Sequence, residues 1–189
     1  MKLFLTRHGQ TDWNTKRCVC GRTEAQLTDL GRAQAAQVGE QAAQAGVNVI
    51  LASPMDRAQE TAAIIAQKVG VPVLTDPLLI EQDFGTFEGR SVDDPEYREK
   101  RKSLLWHYPE GESTAQLIHR AYTIIEKVRD TYPAKRVLLV CNGAGKAQAV
   151  KDCFFGPIKP QAPGSILQLH PDFTLVADEA ALSLVKDLL

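Results

Sequence analysis

Short apolar runs rich in β-formers alternate along this chain with longer stretches of helical spacing, and that alternation restricts the fold more than any other feature. The runs are Lys2 to Thr6, Val47 to Ala52, Val71 to Thr75 and Arg136 to Cys141, then Ser165 to His170 and Phe173 to Ala177. Each has the length of a strand. Between them Thr28 to Ala45, Pro54 to Val69 and Glu112 to Tyr132 carry helical spacing and are stopped by Gly46, Gly70 and Pro133. Strands interleaved with helices predict an α/β sheet flanked by helices. Residues 82–111 follow neither period. They mix Gly85, Gly89, Pro95, Pro109 and Gly111 with many charges, which predicts an insertion covering one end of the sheet. The residues from Asp178 onward fit either a short helix or a loose tail.

A chain of 189 residues is expected to be a single domain spanning 1–189, with the insertion at about 82–111. Hydrophobic residues make up 44% and charged residues 24%, the balance of a globular chain that buries a core. Lys and Arg number 22 against 23 Asp and Glu, a net charge of -1, so no overall field draws in nucleic acid or an anionic membrane. Any anion must be caught by local groups. No apolar run reaches the roughly 18 residues of a membrane span, and Arg7 and His8 interrupt the start before the core of an export signal forms. A cytoplasmic location is therefore expected. Of the four cysteines, Cys18 and Cys20 lack the usual zinc spacing and Cys141 and Cys153 are remote, so reduced thiols are expected.

Chemistry gathers where the apolar runs end. The first run leads into Arg7, His8 and Gly9, and in open α/β sheets ligands sit beyond the carboxyl ends of strands. An Arg-His pair alone also suits a surface cation beside a hydrogen-bonded core histidine. The second run ends at Ser53, the expected N-cap of a helix with Pro54 at its first position and Arg57 at its fourth. A cation so close to the positive end of a helix dipole is misplaced unless an anion binds there too, as phosphate does at helix N-termini. A solvated Arg is the other reading. The fourth run leads to Asn142, Gly143, Ala144 and Gly145, a loop that either lets backbone approach a ligand or simply turns the chain.

Taken together, LTRHGQTDWN at 5–14, GRTEAQLTDLGRAQA from Gly21, SPMDRAQETA from Ser53 and EQDFGTFEGR from Glu81 resemble the histidine phosphatase superfamily, also called phosphoglycerate mutase-like. PEGES at 109–113 and VLLVCNGAG at 137–145 continue the match in the family's order. The resemblance implies a three-layer α/β/α fold with a mostly parallel central sheet and a small inserted subdomain. It implies His8 as the nucleophile that becomes a phosphohistidine, Arg7 and Arg57 as clamps on the phosphoryl oxygens, and Glu81 as general acid and base. Asn14, the backbone around Cys20 and Gly21, and Asn142 with Gly143 would complete the phosphate and substrate contacts. No metal or other cofactor is implied.

The physics agrees with these roles. A neutral imidazole nitrogen can attack phosphorus in line, and a cation-rich pocket disfavours the imidazolium. Guanidinium forks match phosphoryl oxygens and stabilise transition-state charge. Neighbouring arginines are expected to hold Glu81 ionised until a bound phosphate dianion raises its pKa. A structural Glu81 paired with Arg57 or Arg90 is the alternative. Glu88 is expected to be structural.

One position departs from the family's pattern. Where the family carries a second histidine in a string like SHG, this chain has Cys141, Asn142, Gly143. Asn142 can donate a hydrogen bond but carries no charge. Losing one stabilising donor of that kind costs roughly 3 to 4 kcal/mol, or about 10²- to 10³-fold in rate, so impaired activity is expected. Lys146, one helical turn on, either restores the charge or is solvated. His107, His119 and His170 match no motif.

The leading expectation is hydrolysis of small phosphomonoesters, with a small phosphorylated metabolite as the partner. A catalytically weak phospholigand-binding or regulatory protein is the alternative, and phosphoglycerate mutase a third. Phe84, Phe87, Tyr97, Trp106 and Tyr108, with Lys100, Arg101 and Lys102, form either a pocket wall that meets a second anion or an apolar subcore under a solvated charged face.

Overall fold

The computed structural model describes residues 1–141. The readings on residues 142–189, including the last two strands, the tail, Asn142, Gly143, Lys146, Cys153 and His170, lie outside the described residues. Four strands, β1 (Lys2–Arg7), β2 (Val49–Ala52), β3 (Val73–Thr75) and β4 (Arg136–Cys141), form one sheet in the order β1-β4-β2-β3. Every pairing is parallel, with Arg7 opposite Cys141 and Ala52 opposite Val140. β4 lies between two neighbours and is covered on both faces, which is why RVLLVC reads as a continuous apolar run.

Side chains alternate across the sheet. Phe4, Ile50 and Leu138 point to one face, where α2 (Asp29–Gln44) and α3 (Asp56–Val69) pack through Ala42, Ala58, Ala62 and Ile65. Leu3, Leu51 and Leu139 point to the other, where α5 (Thr114–Thr131) contributes Ile124 and Val128. The fold is therefore α/β, with helices on both faces of a parallel sheet. Parallel pairing brings the carboxyl ends of all four strands to one edge, and the site lies there.

Several boundaries differ from the sequence expectation for identifiable reasons. α2 ends at a left-handed Gly46 (φ 67°), where Gly46 N donates to Ala43 O and Val47 N to Ala42 O, both at 3.0 Å. That commits the Val47 amide to the helix end, so β2 starts at Val49. Pro72 has no amide hydrogen for the ladder, and β3 starts at Val73. Ser53 is not the N-cap of α3. Its amide donates to Val140 O at 3.1 Å and so extends the sheet, while Met55 caps the helix without a side-chain bond. Arg57 is consequently the second residue of α3, not the fourth, and lies closer to the helix N-terminus.

The insertion holds more structure than its composition suggests. α4 (Pro95–Lys100) starts from an Asp94 cap, and 3₁₀ turns occupy Gly85–Phe87 within it and Pro77–Leu79 before it. Tyr108, Phe87 and Tyr97 bury themselves with Val19, and the Tyr108 ring meets Phe84 and Phe87 edge-on at 5.1 and 5.3 Å. Most of the insertion's aromatics thus form a subcore, with Lys100 lying over the half-buried Trp106 ring at 3.9 Å. A further short helix, α1 (Asp12–Lys16), follows the first strand and starts from a reciprocal capping box between Thr11 and Asn14.

Candidate active site

At the end of β1 the His8 amide donates to Cys141 O at 3.0 Å, so the ladder with β4 carries the imidazole to the edge of the sheet. The side chain is buried, 7% exposed. Its Nδ1 lies 2.7 Å from Gly9 O. A carbonyl oxygen only accepts, so Nδ1 holds the proton of the neutral ring and Nε2 holds the lone pair. The turn behind the ring is tight. Gly9 N donates to Thr61 Oγ1 at 3.1 Å, and a Cβ on Gly9 would stand 2.2 Å from Gly31 O of α2.

His8 opens onto a cavity of about 440 Å³, whose wall also includes Arg7, Asn14, Cys20 and Glu81. Residues expected from distant parts of the chain therefore meet around one space. The insertion supplies Phe84, Val92 and Tyr97 to the same wall, with Arg101 beside them. Asn14 has a second task, since its side chain accepts from Thr11 N at 3.1 Å in the α1 capping box.

Arg57 sits behind this wall at 1% exposure. It donates to Gly21 O at 2.6 Å and Thr23 O at 3.0 Å, while its Nε finds no acceptor among the described residues. Among those residues it forms no ion pair with a carboxylate; it does not line the cavity itself, but its charge lowers the pKa of Glu81 and Cys20 in the wall. The Gly21 loop is held from its other side by Glu88, which accepts from the amides of Arg22 and Thr23 at 2.7 Å each and from the Thr23 hydroxyl. Glu88 is structural here. Gly21 itself is dictated by close approach, because a Cβ would lie 2.3 Å from Gln82 O and 2.5 Å from Glu88 Oε1.

Glu81 is paired with neither Arg57 nor Arg90. Arg90 engages Glu96 at 2.9 Å and Asp94 at 3.8 Å, and Glu81 Oε1 accepts from its neighbour's amide, Gln82 N, at 2.8 Å. The expected pull of neighbouring arginines on Glu81 is present, but burial opposes it. Burial pushes the carboxyl above the usual range, and this outweighs the opposing Gln82 amide and the Arg57, Arg7 and Arg120 charges. The Glu81 carboxyl thus keeps its proton to higher pH than a free glutamate does. Burial also raises the Cys20 thiol, and pushes Cys141 to about 12 with the Glu81 charge adding to the effect, so both stay neutral thiols. Cys18, Cys20 and Cys141 are unbridged. Among the described residues no group of three or more His, Cys, Asp or Glu side chains could hold a metal ion.

Three charged residues near Glu81 are not apparent from the sequence reading. Glu112 and Arg120 form a buried pair, and Arg22 reaches Glu112 Oε2 at 3.4 Å. Their signal lies in the PEGES and GRTE strings, which contain Glu112 and Arg22 without revealing what they touch. His107 and His119 are not in the cavity wall; His107 Nδ1 lies 3.0 Å from Tyr108 O in the insertion.

A family model of the histidine phosphatase superfamily, branch 1, matches residues 3–154, and the chain belongs to that superfamily. The chain is similar to the probable phosphoglycerate mutase GpmB of Cronobacter sakazakii (strain ATCC BAA-894), 36% identical over 150 residues, or 76% of this chain and 70% of that one. Among solved structures it resembles the mycobacterial glucosyl-3-phosphoglycerate phosphatase in complex with VO3 (TM-score 0.71, 26% identity, 84% of this chain and 82% of that one). The alpha-ribazole phosphatase of Shigella flexneri shares the fold, with TM-score 0.68 at 24% identity over 83% of this chain and 81% of that one. No helix among the described residues is long and apolar enough to cross a membrane.

Proposed function

We propose that this chain hydrolyses small phosphomonoesters through a phosphohistidine on His8, at a rate limited by Asn142. The observation that carries the proposal is the 2.7 Å contact of His8 Nδ1 with Gly9 O, which leaves the lone pair on Nε2 of a histidine in a cavity wall shared with Arg7 and Glu81. Nε2 attacks phosphorus and the bond from phosphorus to the ester oxygen breaks. The protonated Glu81 carboxyl gives its proton to that oxygen, so the alcohol leaves neutral. Glu81, now a carboxylate, takes a proton from a water whose oxygen attacks the phosphohistidine. The P–N bond breaks, phosphate departs, and both side chains return to their starting state. Arg7 and Arg57 supply the positive charge that a phosphoryl group needs, with Asn14, Cys20, Gly21, Asn142 and Gly143 as further contacts. The acting unit is a single domain over residues 1–189, working in the cytoplasm on a small phosphorylated metabolite without a metal or other cofactor.

Asn142 favours a second reading, a phospholigand-binding or regulatory protein that keeps the anion pocket and has lost turnover. The GpmB relatives, named as probable mutases, support phosphoglycerate mutase as a third. One experiment separates them. The wild type, His8→Ala and Asn142→His are incubated with an aryl phosphate, sugar phosphates and phosphoglycerates. A phosphatase releases phosphate, loses release in His8→Ala, and gains about 10²- to 10³-fold in Asn142→His. Saturable ester binding without turnover by any variant establishes the binding protein instead, and interconversion of phosphoglycerates faster than phosphate release establishes the mutase.

A further inference from the structure

The stretch from Ile80 to Asp83, which carries Glu81, belongs to no helix or strand, so its backbone groups must find partners outside regular structure. Several of them find partners on three charged side chains. Arg120, on α5, donates through Nη2 to Ile80 O at 3.1 Å and to Glu81 O at 3.4 Å. Arg22 donates through Nε to Glu81 O at 3.4 Å. Glu112 Oε1 accepts from Asp83 N at 3.1 Å. The same Glu112 carboxylate receives both terminal nitrogens of Arg120, one of them at 2.9 Å, as a two-point fork. Glu112 also donates its own amide to Asp83 O at 2.9 Å, and its carbonyl accepts from Gln82 Nε2 at 3.5 Å.

Glu112 and Arg120 are largely buried, with side-chain exposures of 10% and 17%, whereas Arg22 lies nearer the surface at 37%. A buried pair is a weak source of stability, because desolvation offsets most of its attraction. Its geometry is informative in another way. One carboxylate and two guanidiniums grip the peptide on either side of the Glu81 side chain while making no bond to that side chain's oxygens. Arg22 in turn belongs to the loop whose carbonyls Arg57 holds, so the acid–base segment and the loop beside the expected phosphoryl position share one ionic frame.

We infer that Glu112 and Arg120, with Arg22, are positioning residues that set the Glu81 carboxyl against the leaving oxygen of the substrate. The inference rests on Glu81 acting as the general acid. Among the described residues the titratable and charged groups around Glu81 are Arg7 at the end of β1 with His8 just after it, Arg22, Arg57 from α3, Tyr97 from α4 with Arg101 just after it, Arg120 from α5, and the thiols of Cys20 and Cys141. Arg120 both lowers the Glu81 carboxyl pKa through its charge and, with Arg22, holds the Glu81 backbone. Its loss therefore removes a positive charge and lets the carboxyl drift. A general acid matters most when the departing oxygen is strongly basic and least when it is an activated phenolate.

The test compares kcat/KM for an alkyl phosphate and for p-nitrophenyl phosphate in wild type, Glu81→Gln, Arg120→Lys, Arg120→Gln and Glu112→Gln, each also in an Asn142→His background. Inhibition by inorganic phosphate and the pH profile are read in parallel. Arg120→Lys and Glu112→Gln are expected to lose about tenfold or more with the alkyl ester, several times less with the nitrophenyl ester, and little in phosphate inhibition. The alkaline limb of the alkyl-ester profile, where the acid loses its proton, stays in place in Arg120→Lys, which keeps the positive charge, and moves to higher pH in Arg120→Gln, which removes it. Should Arg120→Lys fail to fold, the near-isosteric Glu112→Gln carries the same comparison. Equal losses with both esters overturn the positioning role while Glu81→Gln remains selective. Absence of selectivity in Glu81→Gln, or of turnover in both backgrounds, removes the general-acid reading and the inference with it.

Discussion

The Gly9 carbonyl assigns the His8 tautomer without any side chain, and the choice follows from chain direction at the end of β1. Glu81 shows the opposite case, a side chain whose state depends on surroundings that no local string reveals. Because burial raises its folded pKa, the folded state retains a proton that the unfolded chain releases above the ordinary value of 4.5. The associated stability is fully present below that value and is lost as pH rises through the raised one. Glu81→Gln, which keeps the shape and removes the charge, is therefore expected to melt at a higher temperature than wild type near pH 7 and at the same temperature near pH 4, while losing alkyl-ester turnover. Thermal melts across that range check it. Arg7, His8 and Glu81 were legible because strand ends and the RHG and EQDFG strings mark them. The partners of Arg57 were not, since its carbonyl acceptors stand 34 and 36 residues away in sequence. Nor was the Glu112 and Arg120 pair, because charges eight residues apart in a polar stretch look the same whether buried or solvated.

Elements with a strong period were read closely. β4 matches its expected span of Arg136 to Cys141 because a strand covered on both faces must be apolar throughout, and α2 lies within a residue of its expected limits because Thr28 and Gly46 punctuate it. α1 and α4 have five and six residues, too few to display a period, and were missed. The start of α3 was misplaced because the Ser53 amide continues the sheet ladder, a tertiary partner that outbids local capping preference. α3 holds Arg57 on its site side and Ile65, fully buried, under the sheet. Ile65→Ala is expected to lower unfolding free energy by about 2 to 5 kcal/mol through the cavity it opens. KM for an aryl phosphate at low temperature should hold, since Ile65 lines the core on the far face from the cavity. Denaturant titration and steady-state assays check the two halves of that expectation.

At the scale of the molecule, parallel pairing places Arg7, the backbone before α3 and the end of β4 on one edge, and the insertion closes the space beside them with its aromatic subcore. Composition and alternation were enough to anticipate a sheet between helices. The order β1-β4-β2-β3 was not legible, because strand order depends on which crossovers bury the helices best and leaves no mark in any single run. The convergence of distant strings on one cavity matters for function only if His8 accepts the phosphoryl group. The direct measurement is to mix the protein with a labelled aryl phosphate, quench within the first turnover in base, and map the label. A base-stable, acid-labile phosphoryl group on the His8 peptide, absent from His8→Ala, is the predicted result. Phosphate release with the label on another residue, or with no labelled enzyme at any time before the first turnover ends, would contradict it.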